Sequence, residues 1–486
     1  MEDKYIASID LGTSKFGLCV ARVNGDDVQI VYYRETPSEG IRASLISNPM
    51  KAAQKLKEAI RQAEEELMIR ILQVVVGMPR SEVEQVTASA RIERTNADDY
   101  ITDEEVQSLK SIALETYPLP YPEKQIMYGA VAQSFSIDDE IQLVENEVVG
   151  TLSSALEGNF KVFIGSRRAT TALDKIFNSL DIAVAKKYFL PDVVARTVLT
   201  GEEMNSGVAL VDFGAGVTSL SVYQGGIMRY YAAIPFGGKA ITGDIRTECS
   251  ISEDLAEKIK KRFGACLPGK LATLSEKVLQ LRLTEPYKEV PVRYISEIID
   301  SRCREIVEAI LYYLQESGLQ NAIRGGVVVT GGSAELTNFI TLFKEMSGYD
   351  VRKGYPRYMF SASVGSGVYS TGATAAIGMV LAAKDDHLPD CVSAPMKVVE
   401  ADEDTVEVEV TDETPAMNTI TDEELEAGAT GNLLNPEEFG EAVEKKKEPK
   451  KKKVKVSKDR KPTFFSIAWK TVKGAALDMY DKANEE

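Results

Sequence analysis

Two aspartates stand in segments of matching pattern, Asp10 in SIDLGTSKFGLCV (8–20) and Asp212 in LVDFGAGVTSLSV (210–222). Each closes an apolar run and precedes a glycine two residues on, Gly12 and Gly214, after which a second apolar run begins. Glycine lets the backbone turn tightly and aim successive N–H groups at an anion. The hydroxyls of Thr13, Ser14 and Thr218 add donors and Lys15 adds a positive charge, while Ala215 and Gly216 complete the second turn. A carboxylate beside bound phosphates is repelled by them unless a cation intervenes, so two aspartates facing one site imply Mg2+ held largely through water. The two turns therefore predict a Mg-nucleoside triphosphate between two halves of the chain. One D-x-G alone reads as an ordinary hairpin turn. Two in register, each after an apolar strand, read as a binding pair.

A third segment, RGGVVVTGGSAELTNF, runs a strand into Gly331, Gly332 and Ser333 and then into a helix. Glycines at such a junction let a ligand lie against the backbone and the positive helix end. Alone it is an ordinary loop; third in chain order after the aspartate turns, it is the expected adenosine-binding turn.

The elements that must position these residues are strands YIASI, LQVVVGM, VALVDF and GVVVTGG, alternating with helical stretches such as 51–69, 253–263 and 295–317. That alternation predicts α/β layers. The repeat implies two homologous halves, each opening with a β-hairpin. The 486 residues leave room for two or three domains, and 44% apolar residues suffice for packed cores. A net charge of −17 argues against nucleic-acid binding, which needs a clustered basic surface. Five cysteines (19, 249, 266, 303, 391) have no metal-ligand spacing and read as reduced cytosolic thiols, and a lone His387 leaves no base for a Ser-His or Cys-His mechanism. The amino terminus MEDKYIASIDLG enters a strand without a leader pattern, and no apolar run reaches the roughly 18 residues that span a bilayer. The protein is expected to be neither exported nor transmembrane.

IDLGTSK, VDFGAGVT, VVTGGSAEL and STGATAAIG (370–378) resemble the two phosphate motifs, the adenosine motif and the second connecting helix of the actin, heat-shock chaperone and sugar kinase superfamily. The run IPFGGKAITGDIRTECSISEDLAEKIKKRFG is similar to the pattern of the FtsA family within it. The resemblance implies an actin-like, ribonuclease H-like duplicated fold of two lobes with ATP and Mg2+ in the cleft. Its cores fall at 1–80, 166–204 and 366–383 for lobe 1 and at 205–236 and 324–365 for lobe 2, with an outer subdomain at 237–323. It implies that Gly237 and Gly238 approach the phosphates and that Glu257 and Lys260 contact ribose or base, although that i,i+3 pair also suits a helix salt bridge. Asp192 sits where related proteins carry an acidic residue in the first connecting helix, and also where an aspartate caps a helix. Ala215 and Val217 replace a glycine and a hydroxyl of the family's usual second motif, which points to fewer phosphate contacts and slow or absent hydrolysis.

Residues 81–165 carry no phosphate motif and correspond to the family's inserted subdomain, used for self-assembly into filaments and for contacts with later division proteins. SEVEQVTASARIE reads as a strand, ITDEEVQSLKSIAL as a helix with Thr102 and Glu105 as a capping box, and MYGAVAQSFSID as a returning strand. Segregated acidic and Lys-rich blocks make 384–461 an expected disordered linker. Beyond it, 462–482 places Phe465, Trp469, Val472 and Met479 on one helical stripe, widened by Phe464, Ile467 and Leu477 and flanked by Lys470 and Lys473. A Trp/Phe amphipathic helix behind a Lys-rich run suits an anionic membrane interface. The resemblance implies a peripheral protein on the cytoplasmic face of the inner membrane at the division septum, binding the C-terminal peptide of the tubulin-like FtsZ around 237–323. The alternative is a soluble ATP-dependent enzyme of the superfamily, a sugar kinase or a chaperone-type ATPase.

Overall fold

One five-stranded pattern occurs twice in the computed structural model, which describes residues 3–138, 141–271, 276–281, 288–357, 359–362, 365–393 and 443–444. In lobe 1, strand Lys4–Leu11 pairs antiparallel with Lys15–Asn24, and that strand with Asp27–Pro37. On its other side Lys4–Leu11 runs parallel to Gln73–Gly77, and Gln73–Gly77 to Ala183–Tyr188. Lobe 2 repeats the order: Val208–Phe213 is antiparallel to Thr218–Gln224 and then Ile227–Ile234, and parallel to Val327–Thr330 and then Val351–Lys353. The duplication read from the hairpins is thus a duplication of whole sheets. Val208–Phe213 is buried along its full length, as the central strand of a mixed sheet covered on both faces.

Helix Pro49–Leu67 shows how local sequence sets an element: Asn48 caps it by accepting from the Lys51 N–H, proline stands in its first turn, and Ala52, Leu56, Ile60 and Ala63 bury one stripe. The two connecting helices, Leu190–Val198 and Thr374–Asp385, cross at Gly378. A Cβ there would stand 2.6 Å from Thr197 Oγ1 and 2.7 Å from the Val193 carbonyl, so only glycine permits this approach.

The insertion is a four-stranded antiparallel sheet in the order Ile141–Leu143, Gln125–Ile137, Ala155–Ser166, Glu84–Glu93. Helix Asp103–Thr116 packs on it with the expected Thr102–Glu105 capping box. Leu109, Phe135, Leu156 and Phe160 give the insertion a core of its own. Strand Gln125–Ile137 also reaches lobe 2: Gln133 Nε2 donates to the Met228 carbonyl at 3.0 Å, and Arg229 Nη1 to the Gln133 carbonyl at 2.9 Å.

The boundary expected at 384 needs correction, because folded chain continues to Ser393. Cys391 is fully buried, its N–H donates to the Tyr5 carbonyl, and Val392–Ser393 pairs with Arg70–Ile71. Polar composition at 385–390 hid this because the anchoring contacts come from the other end of the chain. The rest of the linker apart from 443–444, and the amphipathic segment 462–482, lie outside the described residues. All five cysteines are buried and free of disulfides. Among the described residues no helix is long and apolar enough to cross a membrane.

Candidate nucleotide site

The two hairpin turns and the loop after Val327–Thr330 wall a cavity of about 500 Å3. Close backbone approach explains the glycines. A Cβ on Gly216 would come within 2.4 Å of Thr13 Oγ1, so the two turns nearly touch across the cleft. Gly331 has φ +89° and ψ 157°, and a Cβ on it would meet Asp212 Oδ1 at 2.5 Å. The third loop is tied to the second turn by Ser333, whose hydroxyl donates to the Gly214 carbonyl at 3.0 Å. The expected helix after Gly332 is only a 3-10 turn, Gly332–Glu335; the α-helix begins at Phe339.

On the lobe 1 side, Thr13 Oγ1 accepts from the Ser44 N–H at 3.0 Å. Lys15 is paired with Glu35, which also accepts from the Tyr33 hydroxyl at 2.8 Å. The outer wall comes from helix Glu253–Phe263. There Lys260 Nζ donates to the Gly238 carbonyl at 2.9 Å, Thr242 Oγ1 at 2.8 Å and Glu257 Oε2 at 2.7 Å, which occupies all three of its protons. Burial alone would raise the Glu257 pKa, but Lys260 and Thr242 outweigh it and hold it below the usual value; burial likewise pulls Lys260 down against the pull of Glu257. Lys260 is buried and Glu257 half-buried, so the pair is a hydrogen-bonded bridge set into the wall rather than a fully solvated one.

Between the two aspartates lies Arg80. Its Nη2 is 3.2 Å from Asp212 Oδ2 and 3.9 Å from Asp10 Oδ1, and its side chain is only 14% exposed. Burial raises the Asp10 pKa and the nearby Asp212 raises it further, while Arg80 opposes both. Two nearly buried carboxylates from different lobes thus share one positive charge. This is a cation-demanding position, and it suits a divalent ion that takes the rest of its ligands from phosphate and water.

A family model for cell division protein FtsA matches residues 209–377. The cell division protein FtsA of Neisseria meningitidis is 28% identical over 391 residues, 79% of this chain and 91% of that one. The same-named protein of Borreliella burgdorferi is 30% identical over 383 residues, 78% of this chain and 91% of that one. The chain belongs to the FtsA family of cell division proteins. A chain of the PilM-PilN type IV pilus biogenesis complex superimposes with a TM-score of 0.55 at 14% identity, over 78% of this chain and 98% of that one. The fold is actin-like.

In this FtsA-family cleft the cavity is lined by Asp10, Gly12, Thr13, Ser14 and Lys15 from the first turn, and by Asp212, Gly214, Ala215 and Gly216 from the second. Gly331, Gly332 and Ser333 line it from the third loop, and Glu257 and Lys260 from the outer wall. Four expected residues stand back from it. The Thr218 hydroxyl donates to the Phe236 carbonyl at 2.8 Å. Gly237 and Gly238 pack behind the second turn, with the Gly238 and Lys239 N–H groups donating to the Gly214 and Ala215 carbonyls. Asp192, in the first turn of its helix, pairs with Arg196 at 2.9 Å and makes no side-chain cap. Sequence reasoning missed Arg80 and Glu35. The one signal for Arg80 was its place just past the end of strand Gln73–Gly77, where α/β sheets open onto their ligands.

Proposed function

We propose that the protein binds ATP with Mg2+ in this cleft, polymerises, and tethers FtsZ filaments to the cytoplasmic membrane at the division septum through 462–482. The observation that carries the nucleotide reading is the convergence of the two aspartate turns and the Gly331 loop on one cavity, in a chain of the FtsA family. Bound there, Mg2+ would neutralise phosphate charge, and Asp10 and Asp212 would hold it. The first turn and Lys15 would cradle the phosphates, Gly331 and Gly332 would lie under the adenosine, and Glu257 would stand beside the ribose. The carboxylates of the wall are committed: Glu35 to Lys15, Glu257 to Lys260, and Glu335 to Lys353 at 2.7 Å and Thr371 at 3.0 Å. With no spare base among them, slow hydrolysis is the reading they support.

FtsZ binding through the outer subdomain and contacts of the insertion with later division proteins and with neighbouring copies complete the proposal. The first test is co-sedimentation with anionic liposomes, with and without Mg-ATP, comparing the full chain with one ending at Lys461. Pelleting of the full chain alone supports the tether. Equal behaviour of both contradicts it and favours a soluble ATP-dependent enzyme.

A further inference from the structure

Arg80 meets two different demands at its two ends. Its backbone is fixed: the N–H donates to Ser44 Oγ at 3.1 Å, and the carbonyl accepts from the Tyr231 hydroxyl of lobe 2 at 2.6 Å. Next to it the Ser81 hydroxyl donates to the Ala43 carbonyl at 2.6 Å. Its guanidinium is held by the two aspartates, and its Nε, although buried, has no hydrogen-bond partner. A side chain anchored at the root and under-satisfied at the Nε can swing away without disturbing the turn that carries it. Buried donors are rarely left unpaired, so an orphaned one beside a phosphate-sized cavity marks an arrangement completed by something else.

We propose that Arg80 is the resident cation of the nucleotide-free cleft, holding the divalent-ion position between Asp10 and Asp212 until a metal-nucleotide complex displaces it. The inference rests on the Mg-nucleotide reading above. A divalent ion shared by the two carboxylates and a guanidinium 3.2 and 3.9 Å from them are like charges contending for the same oxygens. The metal alone gains two carboxylates and must expel a cation that already satisfies them. The metal with its nucleotide also brings phosphate oxygens, which accept from the displaced guanidinium, including the unpaired Nε. Arg80 thus makes entry of the metal conditional on the phosphates. Because Asp10 and Asp212 belong to different lobes, Arg80 also links the two lobes through them.

The test is Mn2+ binding to the full chain by equilibrium dialysis, with and without ATP, counting the Mn2+ retained with the protein above the Mn-ATP common to both chambers. Wild type is expected to hold Mn2+ only with ATP. Arg80→Gln is expected to bind one Mn2+ without nucleotide, at least about tenfold more tightly than wild type, a difference of about 1.4 kcal/mol. Adding Asp212→Asn to it should abolish that binding. Equal nucleotide-free Mn2+ binding by wild type and Arg80→Gln overturns the inference, as does an Arg80→Gln protein that takes Mn2+ only with ATP. If no variant holds Mn2+ even with ATP, the nucleotide reading itself fails and this inference falls with it. Should Arg80→Gln not fold, Arg80→Lys decides, since a point charge without the forked donor set holds both carboxylates less well. Intermediate Mn2+ binding is then expected, and wild-type behaviour overturns the inference.

Discussion

Gly331 and Gly332 are adjacent, both line the cavity, and both belong to the same motif, yet the structure assigns them opposite tolerance. Gly331 has φ +89° and ψ 157°, a region only glycine occupies readily, and another residue there costs about 1–3 kcal/mol. A Cβ would also stand 2.5 Å from Asp212 Oδ1 and 2.6 Å from the Phe213 carbonyl, which forces a shift costing about 1–3 kcal/mol. Against this, alanine restricts the unfolded chain and returns about 0.4–1 kcal/mol. Gly331→Ala should therefore lose about 2–4 kcal/mol, and its clash pushes on the carboxylate expected to hold the metal, so ATP affinity should fall as well. At Gly332 the added Cβ would meet only Lys15 Nζ at 3.9 Å and Cε at 4.0 Å, an ordinary contact. Gly332→Ala should stay within about 0.5 kcal/mol of wild type. Urea unfolding reads the difference: with a slope on the order of 1–3 kcal/mol/M, Gly331→Ala should move the midpoint down by about 1–2 M. An unchanged midpoint for Gly331→Ala, or an equal fall for Gly332→Ala, would refute the reasoning from backbone geometry.

Gly378→Ala should overpack the crossing of the connecting helices and cost about 1–3 kcal/mol, read as a lower thermal midpoint that Thr197→Ala partly restores. Lys260→Met leaves the partly buried Glu257 with Thr242 and, at 3.8 Å, the exposed Lys261 for partners, and the expected loss is about 1–3 kcal/mol in the same urea assay. Asp138, in the insertion, accepts from the Ser154 hydroxyl at 2.6 Å, the Ala155 N–H at 3.0 Å, the Ser153 hydroxyl at 3.0 Å and the Ser154 N–H at 2.9 Å, which hold its pKa down at about 2. A depressed acid stabilises above its ordinary value and loses that contribution as pH falls through the depressed one. Acid lability of the insertion between pH 4 and pH 2, followed by hydrogen exchange, should therefore be blunted in Asp138→Asn, where no such proton is left to bind.

How much was legible depended on where each residue's partner lies in the chain. The aspartate turns were readable because glycine, hydroxyl and strand signals lie within a few residues of one another. The capping box of Thr102 and Glu105 was readable for the same reason. Arg80 was not, because what makes it notable is its approach to Asp10 and Asp212, both far away in sequence. The fold boundary at 384 was placed too early because the strand Val392–Ser393 exists only by pairing with Arg70–Ile71. Thr218 illustrates a third case: the motif recorded a hydroxyl, but only the fold shows that it is used up on the Phe236 carbonyl.

That last case bears on how the duplicated halves divide their work. The two hairpins share a backbone plan, but their turns are furnished differently, with Thr13, Ser14 and Lys15 in one and Ala215, Gly216 and Val217 in the other. The second turn's carbonyls at Gly214 and Ala215 accept from Gly238, Lys239 and Ser333, so those groups brace the turn rather than face a ligand. Lobe 1 thus offers a cation and hydroxyl donors, while the second turn offers chiefly the Asp212 carboxylate and a rigid floor. An anion grasped mainly from one side, with a cation linking it to a carboxylate on the other, acts as a tie between lobes. On the nucleotide reading proposed above, the wall carboxylates already paired to Lys15, Lys260 and Lys353 would make holding a nucleotide easier than turning it over.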